Sequence, residues 1–318
     1  MEEIDQSRLH QLRLWHGRGD AQDRLRRAHG AEAGVLAARA AYLAGFSGSA
    51  TVLAGLLYGV PVYGTMAHSY VQAHDDEVDA FERFAQAQPD HVVLLLDTYD
   101  TEMAAEKVVT LAPRLREQGI TIKGVRLDSG DLADLARKVR RILDRGGLHH
   151  VRILASGNLD EEAVRTMVSS RAPIDDFAIG TRLDTSADAP SLDCAYKLQE
   201  YAGRARRKRS TGKATWPGRK QVYRRVGADD RLVGDLLTLE GAPQDGEPLL
   251  HPVMRAGERL GSSPPLREIR QHAAVELARL PEHLRQLQVD PPYPVAIAQA
   301  LHDLADAVDR QTSRPRSG

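Results

Sequence analysis

Short apolar runs recur along the first 180 residues with helical stretches between them, and this alternation constrains the chain more than any other feature. The runs are GVPVYG (59–64), VVLLLD (92–97), IKGVRLD (122–128), RILASG (152–157) and DFAIGT (176–181), with starts 24–33 residues apart. Residues 68–88, 101–118, 131–146 and 160–171 carry helical patterning. Strands at this spacing, each followed by a helix, run parallel and are joined by crossovers. Their unbroken apolarity predicts burial on both faces. A doubly wound sheet and a βα barrel both satisfy that pattern. Every run, however, ends in polar groups: Gly64-Thr65-Met66-Ala67-His68, Asp97-Thr98-Tyr99-Asp100, Arg126-Leu127-Asp128-Ser129-Gly130-Asp131, Ser156-Gly157-Asn158 and Gly180-Thr181. In a barrel all such ends meet at one mouth. A doubly wound sheet needs them chiefly at its switch point. The expected architecture is therefore barrel-like.

Residues on either side read differently. Residues 1–24 are polar, with Gly17 and Gly19 breaking any helix. Residues 25–58 predict two helices, one through AEAGVLAARAAYLAG and one that starts near Ser47-Gly48-Ser49 and runs through ATVLAGLLYG. Beyond residue 190, CAYKLQEYAGR (194–204), RKQVYRRVG (219–227) and DRLVGDLLTLEG (230–241) predict strands. Residues 267–310 read as helical, interrupted by the Pro-rich DPPYP (290–294). Residues 311–318 are expected to be disordered.

Composition excludes several classes. With 42% hydrophobic and 27% charged residues the chain can bury a core. A formal net charge of −1 supplies no global field for nucleic acid. Residues 204–225 hold ten Lys or Arg and no acid, which reads as a solvated loop or a rim for an anionic substrate. Cys194 is the one cysteine, so no intrachain disulfide or Cys-rich zinc site forms, as suits a reducing cytoplasm. No apolar run approaches the ~18 residues of a membrane span. The N-terminus lacks a signal-peptide core.

Chemistry-bearing residues gather at the strand ends. Asp97 and Asp128 are carboxylates suited to sugar hydroxyls, or to Mg²⁺ through water. Arg126 is suited to forking a phosphate. Asp131 and Asp100 suit either the same site or a helix N-cap. Gly157-Asn158 and Gly180-Thr181 offer backbone amides for phosphate, and Asn158 equally suits an N-cap. His68, after Gly64-Thr65, stands where a nucleophile or general acid–base group is needed.

Several stretches together resemble the nicotinate phosphoribosyltransferase family: LRRAHGAEAGVLAARAAYLAGFSGSATVLAG, YGVPVYGTMAHSYVQAHDDE, LLLDTYDTE, GVRLDSGDL, ILASGNLDE and AIGTRLDTSADAPSLDCAYKLQEYAGRARRKRSTGKATWPGRKQVYR. The similarity begins at Leu25. The family has a long N-terminal part, whereas 24 residues precede that leucine here, so the chain resembles an N-terminally truncated member. An acidic-Phe-Gly tripeptide of the family is Gln22-Asp23-Arg24 in this chain.

The resemblance implies an α/β fold: an irregular, incomplete βα barrel of the type II phosphoribosyltransferase kind, with a partial β-rich second domain and a helical C-terminus. Its implied organisation is a divergent segment (1–24), a catalytic barrel (25–193), a β-rich part with the basic loop (194–252), a helical region (253–310) and a tail (311–318). The implied reaction joins nicotinate to 5-phosphoribosyl 1-pyrophosphate, with Mg²⁺, and is coupled to ATP hydrolysis through a phosphohistidine at His68. Arg126, Asp128 and Asp97 match ribose- and pyrophosphate-side positions. Gly157, Asn158, Gly180 and Thr181 match product-phosphate loops. Arg26-Arg27 matches a position that contacts substrate phosphates or the pyridine carboxylate. Thr65 and Asp131 join the expected substrate-binding set. A cytoplasmic homodimer is expected, without nucleic-acid or membrane partners. The alternative is an inactive fragment that binds phosphoribosyl pyrophosphate or pairs with an intact subunit.

Overall fold

The structure is a computed structural model that describes residues 20–22, 27–186, 191 and 194–313. They divide into two compact units. One comprises residues up to 192 together with Leu266–Ala274, and the other Asp193–Pro265 with Val275 onward.

The first unit is built on six parallel strands: β1 (Asp20–Gln22), β2 (Gly48–Ser49), β3 (Val93–Leu95), β4 (Gly124–Leu127), β5 (Arg152–Ala155) and β6 (Asp176–Ile179). Their spatial order is β2-β1-β6-β5-β4-β3. That order is cyclic, the order of a barrel opened between β2 and β3, with no reversal at a switch point. A parallel bridge from Ser49 to Val62 extends the sheet one position beyond β2. Among the described residues nothing closes the gap to β3, so the sheet is an incomplete barrel, as expected.

The helices are α1 (Ala31–Ala44), α2 (Val52–Tyr58), α3 (His68–Gln72), α4 (Glu77–Ala87), α5 (Thr101–Glu117), α6 (Leu132–Arg145), α7 (Glu161–Ser169) and α8 (Thr181–Asp184). Each longer helix of the βα repeat begins with an aspartate. Asp76, Asp100, Asp131 and Asp160 accept from the backbone amides of Val78, Met103, Asp134 and Ala163 at 2.6, 2.8, 3.0 and 2.9 Å. Each such cap is worth about 1 kcal/mol and sets where the helix leaves the strand end. The sheet core is formed by Leu94, Leu96, Val125, Leu127, Ile153, Ala155, Phe177 and Ile179, packed against helix residues such as Val108, Leu115, Val139 and Leu143. Burying each Leu or Val of this set contributes roughly 1.5–3 kcal/mol.

Four local expectations are corrected. Ser47-Gly48-Ser49 does not cap α2. Gly48–Ser49 is a strand, in which Ser49 exchanges backbone bonds with Pro61 and Tyr63, and the Ser49 hydroxyl accepts from the amide of Thr51, the residue before the helix, at 2.9 Å. The run 59–64 makes a single bridge instead of a strand, because Pro61 has no amide to donate. Residues 20–22, expected to be irregular, pair with both β2 and β6. Asp160, not Asn158, caps α7.

The second unit holds two separate hairpins, β7 (Glu200–Tyr201)/β8 (Arg204–Ala205) and β12 (Met254–Arg255)/β13 (Glu258–Arg259), and a four-stranded sheet. Its strands are β9 (Lys220–Val226), β10 (Leu232–Leu239), β11 (Glu247–Pro248) and β14 (Val295–Ile297), in the order β11-β9-β10-β14. The Pro-rich break expected in the helical tail is followed by a strand, β14, whose backbone pairs parallel with Asp235–Leu237 of β10. α9 (Leu266–Ala278) and α10 (Gln299–Ser313) complete the chain. α10 continues through Ser313, past the expected onset of disorder at 311, and residues 314–318 lie outside the described residues. Part of the basic stretch is neutralised internally: Arg207 pairs with Asp309 and Arg219 with Glu240. Among the described residues no helix is long and apolar enough to cross a membrane.

Candidate active site

Strand register decides which strand-end residues meet. Leu95 of β3 lies beside Arg126 of β4, so Asp97 and Asp128, each two residues further on, lie side by side. Leu127 of β4 lies beside Ala155 of β5, so Asp128 and Ser156, each one residue further on, also meet. Helix α3 then delivers His68 to the same rim.

Each carboxylate has one oxygen tied to the protein and one turned toward His68. Oδ2 of Asp97 accepts from the backbone amide of Asp128 at 3.1 Å and from the Ser129 hydroxyl. Its Oδ1 is buried without a hydrogen-bond partner and lies 3.9 Å from Nε2 of His68. Oδ1 of Asp128 accepts from the Ser156 hydroxyl at 2.6 Å and from Nη1 of Arg126 at 3.1 Å. Its Oδ2 is 3.6 Å from the same Nε2. The Asp97 side chain is 4% exposed and that of His68 is 39% exposed. The carboxylates are thus sunk into the rim with the imidazole above them, open to an incoming molecule. On its other side, Nδ1 of His68 meets the Thr98 hydroxyl at 3.2 Å.

Arg126 is committed inward. Nη1 also donates to Ser156, and Nη2 donates to the Met66 carbonyl at 2.9 Å, which the Thr65 hydroxyl also meets. Its Nε is buried without a partner. The free phosphate fork expected from the sequence is therefore absent: both terminal nitrogens hold Asp128 and the segment leading to His68. Asp131 is exposed and caps α6, so of its two expected roles the structure displays the cap.

Gly157 and Asn158 follow β5, and Gly180 and Thr181 follow the adjacent β6. Gly157 and Asn158 both have positive φ, 103° and 53°. Gly157 is pressed against the carbonyl of Asp128: a Cβ built there would lie 1.9 Å from that oxygen. Glycine is required for this approach. Arg27 is exposed ahead of α1 and outside the cluster; Arg26 lies outside the described residues. Ser156 and Thr98, which hold Asp128 and His68, were not singled out from the sequence. Both stand inside strand-end clusters, and that position was the available signal.

A parallel βα rim carrying a histidine above two carboxylates, with glycine loops on the neighbouring strands, is the arrangement of the βα-barrel class, which gathers polar groups at one end of its strands. The chain belongs to the nicotinate phosphoribosyltransferase family: the family model matches residues 23–213, and the model of the family's C-terminal domain matches residues 240–305. A Mycobacterium tuberculosis protein named nicotinate phosphoribosyltransferase pncB2 is 45% identical over 278 residues, covering 87% of this chain and 59% of that protein. A Bacillus subtilis nicotinate phosphoribosyltransferase is 31% identical over 325 residues, covering 90% of this chain and 66% of the relative. The crystal structure of human nicotinic acid phosphoribosyltransferase superposes with a TM-score of 0.80 at 28% identity, covering 94% of this chain and 73% of that one. The chain thus spans about three fifths to two thirds of the length of these two curated relatives.

Proposed function

We propose that this protein is a nicotinate phosphoribosyltransferase of NAD salvage. It joins nicotinate to 5-phosphoribosyl 1-pyrophosphate, releasing pyrophosphate and nicotinate mononucleotide, and couples this to ATP hydrolysis through a phosphorylated His68. The observation that carries the reading is the arrangement of His68 over Asp97 and Asp128 at the rim, in a chain of this family.

Displacement at C1 of the ribose passes through an oxocarbenium-like state while negative charge grows on the departing pyrophosphate. Fixed carboxylates beside the sugar orient its hydroxyls and favour the developing positive charge. Asp128, clamped by Ser156 and Arg126, and Asp97, clamped by the loop after β4, are the groups that do this. The glycine loops after β5 and β6 hold the 5′-phosphate.

Carboxylate oxygens are the donor type Mg²⁺ takes, but no group of three or more ligating side chains is assembled among the described residues. That donor set fits Mg²⁺ carried in on the substrate's phosphates. Bound there, Mg²⁺ neutralises the charge of the leaving pyrophosphate. Thr65, three residues before His68 in the chain, joins the substrate-binding set. The working protein is a cytoplasmic homodimer.

The test is direct. Purified protein is incubated with nicotinate, phosphoribosyl pyrophosphate, Mg²⁺ and ATP, and nicotinate mononucleotide is quantified. The expected result is ATP-stimulated product that falls sharply in His68→Ala. Folded protein that forms no product sinks the reading and leaves a substrate-binding fragment.

A further inference from the structure

The imidazole of His68 has two nitrogens in unlike surroundings. Nε2 faces Oδ1 of Asp97 at 3.9 Å and Oδ2 of Asp128 at 3.6 Å. Nδ1 faces the hydroxyl of Thr98, the residue directly after Asp97, at 3.2 Å. The charged groups around the ring are these two carboxylates, with Arg126 behind Asp128 and turned toward it. Two negative groups on one side of a neutral imidazole draw its proton to that side. A hydroxyl both donates and accepts, so it follows whichever state the ring adopts. With the proton on Nε2, it donates to Nδ1.

We propose that Thr98 is a positioning residue that fixes the plane of the His68 ring at the rim and so keeps Nε2 toward the two carboxylates, which draw the proton there. This rests on the reading of His68 as the reacting histidine. The chain supplies a reason for the placement. Thr98 leaves β3 one residue after Asp97, so one strand end sets a carboxylate on one nitrogen and a hydroxyl near the other. The carboxylates lie beyond hydrogen-bonding distance of Nε2. The Thr98 bond is therefore the single short polar contact recorded for the ring among the described residues. A partly exposed imidazole held at one point rotates about χ2 once that point is removed, since this torsion is broad. The lone pair then no longer points in one direction.

The test reads the ring itself. Protein labelled with ¹⁵N histidine is studied by long-range proton–nitrogen correlation, with His68 assigned from the signal missing in His68→Asn. In the wild-type protein Nδ1 should resonate as an unprotonated nitrogen and Nε2 as a protonated one. Thr98→Val, nearly isosteric, should shift His68 toward a mixture of tautomers. Thr98→Ser should retain the wild-type pattern. In turnover, Thr98→Val should lower kcat about 10-fold or more, the scale at which second-layer partners of functional histidines act, with KM for nicotinate unchanged and Thr98→Ser restoring the rate.

A wild-type ring protonated on Nδ1 overturns the proposal. So does a Thr98→Val protein whose tautomer is unaltered, even if its rate falls, because Thr98 would then act as a structural residue. The nuclear signal does not depend on turnover. If the wild-type protein makes no nicotinate mononucleotide, the functional reading fails while the tautomer result still decides the role of Thr98.

Discussion

The carbonyl oxygen of Asp128 lies 1.9 Å from where a Cβ on residue 157 would stand, so the loop after β5 packs against the backbone of Asp128 only because residue 157 is glycine. Gly157 also sits at φ 103°, a conformation that L-residues rarely adopt. Strain of that kind alone costs about 1–3 kcal/mol. Gly157→Ala should lower the denaturation midpoint and push Asp128 out of register with Ser156. Denaturant unfolding and turnover measured on one preparation check this. Unchanged stability and rate would mean the two loops are further apart.

Asp97→Asn and Asp128→Asn keep shape and remove charge. Each should lower kcat/KM at least ~100-fold, in the range of a lost transition-state group, with a melting temperature close to wild type. Asp128→Asn also leaves Arg126 without its ion-pair partner, so it should be the less stable of the two. Steady-state kinetics beside thermal melts separate the two effects.

Arg270 closes the C-terminus of α1. Its guanidinium donates to the carbonyls of Tyr42, Gly45 and Phe46 and stacks 4.3 Å from the Tyr42 ring. Charged hydrogen bonds of this sort contribute about 1.5–3 kcal/mol each in favourable cases. Arg270→Lys should still destabilise the protein, because one ammonium cannot span three carbonyls in a plane. Chemical denaturation of Arg270→Lys and Arg270→Ala side by side is the check; a Lys variant as stable as wild type would show that charge alone suffices.

Tyr293 donates to Oδ1 of Asp235 at 2.8 Å, and Arg224 forks the same carboxylate through Nε and Nη2. Burial and the Asp235 bond push the Tyr293 phenol up to about 12. The folded state therefore keeps the proton longer than the unfolded chain, whose tyrosine titrates near ~10. Stability from this group is fully present below pH ~10 and is lost as pH rises toward 12. Tyr293→Phe lacks that loss, so the stability gap between wild type and variant should narrow between pH 10 and 12. Unfolding midpoints across that interval provide the measurement.

Much of the first unit was legible in the chain itself. The spaced apolar runs marked β3 to β6, and their polar ends marked Asp97, Arg126, Asp128 and Gly157 before any coordinates. The misreadings share a cause. Gly48–Ser49 and Val295–Ile297 are strands because of what they pair with: the first has no apolar run, and the second is a three-residue stretch between the Pro-rich segment and a helix. Asn158 looked like a cap, but Asp160 supplies it and Asn158 takes a positive φ instead. Arg126 looked like a free fork because its sequence neighbours do not reveal Ser156 or the Met66 carbonyl, respectively 30 and 60 residues away.

By itself the sequence determined the parallel βα alternation, the candidate aspartate caps Asp100 and Asp131 and the rim on which reactive residues gather, since these depend on short-range periodicity and capping. Only the tertiary structure decided that one oxygen of Asp97 and one of Asp128 turn to the same nitrogen of His68, that Thr98 holds the other, and that Gly157 touches Asp128. Those contacts join residues about 30 to 60 apart in the chain. They exist because the hydrogen-bonded strands lock in one register, which sets the ends that carry Asp97, Asp128 and Ser156 side by side, and because a separate helix brings His68 to them.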